Sequence, residues 1–217
     1  MTVINASSLS LEQVYHYFKF QELPYGTFNS LLPLEPLSEF EKADLAEIRH
    51  DFRHYLTEGK VLEGMVMALT IFPLLRLAGF YRSPIKMSLE QEIERIQLED
   101  EGISITGRLD LICINKDLPS INDIPFWILA IEAKNTRISS SAGLPQLLTY
   151  AYKSLAQQPK VWGLTTNGVY YEFIYIQQTN LPTYQPLPSL HLIEPESSEK
   201  LLQVLKAICK TQNSSSN

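Results

Sequence analysis

Cysteine is scarce, with only Cys113 and Cys209 among 217 residues. Two thiols cannot build a disulfide framework or a Cys-rich zinc site, and so few suit a reducing compartment. An excess of basic charge is also missing. Eighteen Lys and Arg stand against 24 Asp and Glu, a formal charge of −6. This excludes a strongly basic nucleic-acid coat protein and leaves room for a local basic patch. Long apolar runs are absent. The most apolar stretch, Gly64 to Leu75, falls short of the ~20 residues a spanning helix needs, and Pro73 interrupts it. The opening residues, MTVINASSLSLEQ, lack the basic-then-apolar profile of a secretory signal. A soluble, cytoplasmic protein is the expectation. There is no internal repeat, no Gly-x-x-x-x-Gly-Lys phosphate loop, no dinucleotide fingerprint, no Gly-x-Ser-x-Gly elbow and no Ser-His-Asp signature.

What is present is enough apolar residue to bury a core: 45% hydrophobic against 19% charged. The length suits one domain with a short appendage. Leu9 to Phe20 reads as a short helix, and Leu23 to Pro36, with three prolines, as a connection. Ser38 and Glu41 form a candidate capping box for a helix running to about Thr57, which Gly59 ends. Val61 to Leu77 is apolar nearly all round, which predicts a buried helix closed by Gly79. Glu90 to Asn115 alternates like two strands about a Glu99–Gly102 hairpin turn. Lys116 to Pro125 reads as a loop, and Phe126 to Ala133 as a central strand ending in charges. Leu144 to Gln157 reads as a helix with Pro145 in its first turn. Val161–Thr165 and Val169–Ile176 read as strands around Asn167-Gly168. Leu181 to Pro195 reads as a loop, and Ser197 or Ser198 as the cap of a last helix through Cys209. The pattern predicts an α/β (α+β) protein: a mixed sheet flanked by helices. The expected division is a helical amino-terminal extension (1–58), a main domain (59–212) and a frayed tail (213–217).

Three positions carry candidate chemistry. Asp110 interrupts an apolar strand. Glu132 and Lys134 are two apart on another, so their side chains leave the same face. Buried carboxylates are costly unless paired or metal-bound, and two on neighbouring strands repel unless a cation lies between them. Mg²⁺ meets that need with one or two carboxylates plus waters, and the carbonyl of Ala133 is a further candidate oxygen. Lys134 would stand by to stabilise charge on a phosphate or to assist the attacking water.

At these residues the sequence resembles the PD-(D/E)XK, or restriction-endonuclease-like, nuclease superfamily. The resemblance rests on Gly107-Arg108-Leu109-Asp110 followed by Glu132-Ala133-Lys134, with Leu109 standing where the superfamily's name expects proline. Glu63 matches an acidic residue on the preceding helix. Gln146 and Tyr150 match the Gln-x-x-x-Tyr motif of RecB-type members. Thr165 to Phe173 is similar to the strand–turn–strand of the amino-terminal nuclease domain in type I restriction enzyme R subunits. It implies a restriction-endonuclease-like sheet and Mg²⁺- or Mn²⁺-dependent hydrolysis of DNA. Asp110, Glu132, Ala133 and Glu63 would hold metal, Lys134 would assist the nucleophile, and Gln146 would order the site. Asn135, Arg137, Tyr150 and Lys153 are the expected nucleic-acid contacts. Local charge agrees: residues 133–171 hold four basic residues and no acids, whereas residues 89–132 hold ten acids and three bases. A homodimer or an unidentified protein partner is left open.

Blander readings stand beside these. Asp110 and Glu132 could form structural ion pairs with Arg108 or Lys134. Glu63 could be a first-turn acid favoured by the helix dipole. His50 and His54 have an i,i+4 zinc spacing with no third ligand evident. Cys113 reads as a small core residue, and Tyr170, Tyr171 and Tyr175 as strand partners. A catalytically inactive nuclease-like binding module is the alternative function.

Overall fold

The computed structural model describes residues 2–120 and 125–213. The chain begins with strand β1 (Thr2–Asn5) and helix α1 (Leu11–Phe18). A reciprocal Ser10–Gln13 capping box starts α1, satisfying two orphan donors, and its Val14 and Phe18 are buried one turn apart. Strand β2 (Gln21–Glu22) and the single turn α2 (Phe28–Leu31) lead to α3 (Glu39–Glu58). The expected Ser38–Glu41 box caps α3, and Gly59, at φ 130°, ends it.

The next helix runs as α4 (Glu63–Val66), a π turn (Met67–Ile71) and α5 (Phe72–Ala78). Pro73 has no N–H to give to the preceding turn, and the widened turn lies directly before it. Gly79, at φ 100°, closes the helix, as its sequence position predicts.

The sheet then follows: β3 (Ile85–Leu98), β4 (Ile103–Asn115), β5 (Phe126–Ala133), helix α6 (Leu144–Leu155), β6 (Lys160–Thr166), β7 (Tyr170–Gln178), β8 (Pro182–Pro186), β9 (Leu190–His191) and helix α7 (Pro195–Asn213). Among the described residues the order is β1-β4-β5-β6-β7-β8-β2, with β3 also on β4 and β9 on β7. The β5–β6 pairing is parallel through α6, and β6–β7 is an antiparallel hairpin. Asn167 accepts the amide hydrogens of Val169 and Tyr170, and Gly168 adopts φ 85° in that turn. One face of the sheet packs on α3, α4, α5 and α7 through Phe52, Leu74, Phe173 and Leu201. The other packs on α1 and α6 through Phe18, Leu109, Leu147 and Ile174. This is the mixed α/β architecture expected.

Four local expectations change. The first 58 residues are not purely helical, because β1 pairs parallel with β4 and β2 pairs parallel with β8. Strand β3 begins five residues earlier than the alternation indicated. Residues 182–186 form a strand rather than a loop, because Pro182 and Pro186 stand at its two ends and cost few ladder bonds there. Helix α7 starts at Pro195. Ser198 Oγ donates to Pro195 O at 2.7 Å and Ser197 Oγ accepts from His191 N, so both serines lie inside its first turn. Residues 121–124 of the predicted loop and 214–217 of the predicted tail lie outside the described residues.

Candidate active site

Strand β4 is longer than β1 and β5, which share one of its edges. Strand β1 covers 103–106 and β5 covers 111–115. Residues Gly107 to Asp110 therefore face a gap in the ladder, where backbone polar groups need other partners. Helix α6 supplies them. Gln146 Nε2 and Tyr150 Oη both donate to the carbonyl of Arg108, at 3.2 and 3.1 Å. The fit is close: a Cβ on Gly107 would lie 2.3 Å from Tyr150 Oη. At the other end of the gap, Asp110 Oδ2 accepts the amide hydrogen of Ala133 at 2.7 Å, replacing a ladder bond at the end of β5.

The register then brings the two acids together. Leu111 pairs with Ile131, so Asp110 and Glu132 come next on adjacent strands. Glu132 is only 1% exposed. The turn before α6 presses on it, since a Cβ on Gly143 would lie 2.9 Å from Glu132 Cγ. Lys134 Nζ donates to Glu132 Oε1 at 2.5 Å. Glu132 Oε2 is buried with no hydrogen-bond partner.

Burial pushes the Glu132 carboxyl up to about 8, with the Asp110 charge adding to the rise and Lys134 opposing it. Burial likewise raises Asp110 to about 6, against the hydrogen bond from Ala133. Glu63 raises both by like-charge repulsion. Burial also raises the Tyr150 hydroxyl to about 12, so it remains a donor.

These groups open into a cleft of about 860 Å³. Glu63, Asp110, Glu132, Lys134 and Gln146 all line it, so five residues singled out in the sequence share one cleft. Ala133 does not line it; it is buried and its amide holds Asp110. Glu63 is an exposed first-turn residue of α4. Among the described residues no three His, Cys, Asp or Glu side chains gather as a metal cage. That holds for His50 and His54 as well; His54 instead meets Glu58 at 3.4 Å. Asp110 and Glu132 are the two acids that the β4–β5 register sets side by side in the cleft.

The expected nucleic-acid contacts are not gathered there. Asn135 accepts the backbone amide hydrogen of Arg137 in a local turn, Arg137 is exposed beyond it, and Lys153 lies at the opposite end of α6 from Gln146. None of the three lines the cleft. Its other cations are Arg95 and Arg108, and Asn5 and Ser7 also line it. Arg95 and Arg108 come from the acid-rich stretch of sequence, so composition by segment pointed away from them. The usable signal was alternation, which puts Arg108 and Asp110 on one face of β4.

No family model matches the chain, and no curated protein matches it. Among solved structures it is similar to a fragment assigned to an HsdR subunit of a type I restriction enzyme from Vibrio vulnificus, at 20% identity and a TM-score of 0.39. The match covers 71% of this chain and 27% of that one, so the chain spans about a quarter of its neighbour. No helix among the described residues is long and apolar enough to cross a membrane.

Proposed function

We propose that the chain is a nuclease module of the PD-(D/E)XK type that hydrolyses DNA phosphodiester bonds with Mg²⁺ or Mn²⁺. The observation that carries this reading is the meeting of Asp110, Glu132 and Lys134 in one cleft, with Glu132 Oε2 buried and unpartnered. The donor set fits such an ion. Mg²⁺ characteristically takes one or two carboxylates and fills its remaining positions with water and phosphate oxygens, so a pair of acids suffices. A bound cation would supply Lewis acidity toward the phosphoryl group and a more acidic water.

The chain's own residues do the rest. Ala133 N–H holds Asp110 in place. Lys134, tethered to Glu132, stands ready to donate to charge growing on the phosphate. Gln146 and Tyr150 pin the Arg108 carbonyl and so fix the approach of Asp110. Incubation of the purified chain with linear, circular, single-stranded and branched DNA in Mg²⁺ and in Mn²⁺ tests this. Asp110→Ala and Lys134→Ala should each cut the rate by about a hundredfold or more. Intact DNA in every form with both metals would remove catalysis on DNA.

One observation favours a second reading, an inactive nuclease-like binding module: Lys134 is already paired with Glu132, which neutralises part of the site internally. Calorimetry separates the two. Stoichiometric Mn²⁺ binding that Asp110→Ala abolishes supports the nuclease, and absence of divalent binding supports the inactive module.

A further inference from the structure

Arg108 occupies an unusual position. Its backbone carbonyl is pinned by α6, while its side chain stays 57% exposed on the cleft rim and meets Glu90 Oε2 at 3.1 Å. Glu90 is itself odd. Its φ is +47°, one of two positive values among the described non-glycine residues, and such a backbone is disfavoured for a residue with a Cβ. The other is Lys19, which caps α1, whereas Glu90 caps nothing. The β3–β4 ladder skips it: Leu89 pairs with Leu111 and Gln91 with Leu109. Glu90 therefore stands across from Asp110, yet its carboxylate is delivered to Arg108.

An ion pair this exposed contributes little to stability. Arginine's planar fork matches phosphate oxygens in bidentate fashion, so a phosphate can replace the Glu90 carboxylate at small cost. Arg108 and Asp110 are two apart on β4, ~7 Å along the strand and on one face. Arg95 lines the same cleft from β3, where Ile96 pairs with Ile105.

We infer that Arg108, with Arg95, forms a phosphate-binding lip for the stretch of DNA flanking the scissile position, and that Glu90 is the resting counter-ion that the incoming phosphate displaces. This rests on the nuclease reading for the identity of the ligand. The assignment makes two predictions of opposite sign. Removing the cation should weaken binding, and neutralising its counter-ion should strengthen it. A pair that merely braces β3 against β4 would move both variants the same way.

The test is fluorescence anisotropy of a short labelled DNA oligonucleotide, single-stranded and duplex, in Ca²⁺ over a range of salt, with cleavage in Mg²⁺ and Mn²⁺ binding measured in parallel. Arg108→Ala should weaken DNA binding roughly tenfold and lower the salt slope by about one. Arg95→Ala should act in the same direction. Glu90→Gln should tighten binding about two- to fivefold at low salt, and the stoichiometry of Mn²⁺ binding should be unchanged in all three. If the wild type cuts DNA but Arg108→Ala leaves affinity and salt slope intact, or Glu90→Gln weakens binding as Arg108→Ala does, the lip is overturned and the nuclease stands. If the wild type neither binds nor cuts DNA, both fall.

Discussion

Two carboxylate–lysine pairs in this molecule differ in a way that separates a brace from a candidate active site. In one, Lys206 of α7 reaches Glu41 in the first turn of α3. In the other, Lys134 reaches Glu132 beside Asp110. Both glutamates pay a burial penalty that raises the carboxyl, and it is the largest effect on each. At Glu41, Lys206 together with the amide and hydroxyl of Ser38 outweighs burial, and the carboxyl ends below its ordinary value. At Glu132 a second acid adds to burial, one oxygen has no partner, and Lys134 cannot compensate. Satisfied hydrogen bonds make a structural pair; a like charge and an orphaned oxygen mark a candidate functional site.

The largest expected effect on stability comes from the scaffold beneath the acids. Gly107→Val drives a side chain into Tyr150 and should cost about 3 kcal/mol by urea denaturation. Part of that should return in Gly107→Val with Tyr150→Phe, which removes the oxygen that a Cβ would meet first. Equal loss in the single and double variants would show that Tyr150 is not the obstacle.

The next effect sets the two glutamates against each other through pH. The folded-state pKa of Glu132 lies above its unfolded value, so the native protein binds more protons between about pH 4.5 and 8, and stability should fall as pH rises across that window. Glu132→Gln should flatten the fall and gain on the order of 2 kcal/mol near pH 8 in the absence of divalent ions. Glu41 carries the opposite sign. Its contribution is present above the ordinary carboxylate value and is lost only as pH falls below it, so Glu41→Gln should lower the melting temperature at neutral pH and not in strong acid. Identical melting profiles for the two variants would erase the contrast.

The smallest effect is expected at the brace. Lys206→Ala should cost about 1 kcal/mol and leave Mn²⁺ binding untouched. A change in metal affinity would mean that the α3–α7 contact reaches the cleft.

Legibility in the sequence followed the same division between local and distant. The Ser38–Glu41 cap and the Asn167-Gly168 turn could be read directly, because neighbouring residues satisfy their hydrogen bonds, and strand β5 showed as a short apolar run. Strands β1 and β2 could not. They are four and two residues long, too short for a periodicity to show, and they exist because distant strands offer partners. Within the cleft, Asp110, Glu132 and Lys134 were found by residue type and spacing, and Glu63 and Gln146 through the resemblance to the nuclease superfamily. Asn135, Arg137 and Lys153 were chosen by the charge of their segment, and a segment's net charge does not say which side chains share a face.

From residue order alone follow the α/β alternation, the helix stops at Gly59 and Gly79, and the placing of Glu132 and Lys134 on one side of the chain, since each depends on residues close in sequence. The tertiary structure alone decided that β1 and β5 leave Gly107–Asp110 unpaired between them, that α6 fills the gap, and that Arg108 is poised between Glu90 and the cleft. Those depend on where backbone hydrogen bonds from separate strands run out, which the order of residues does not state.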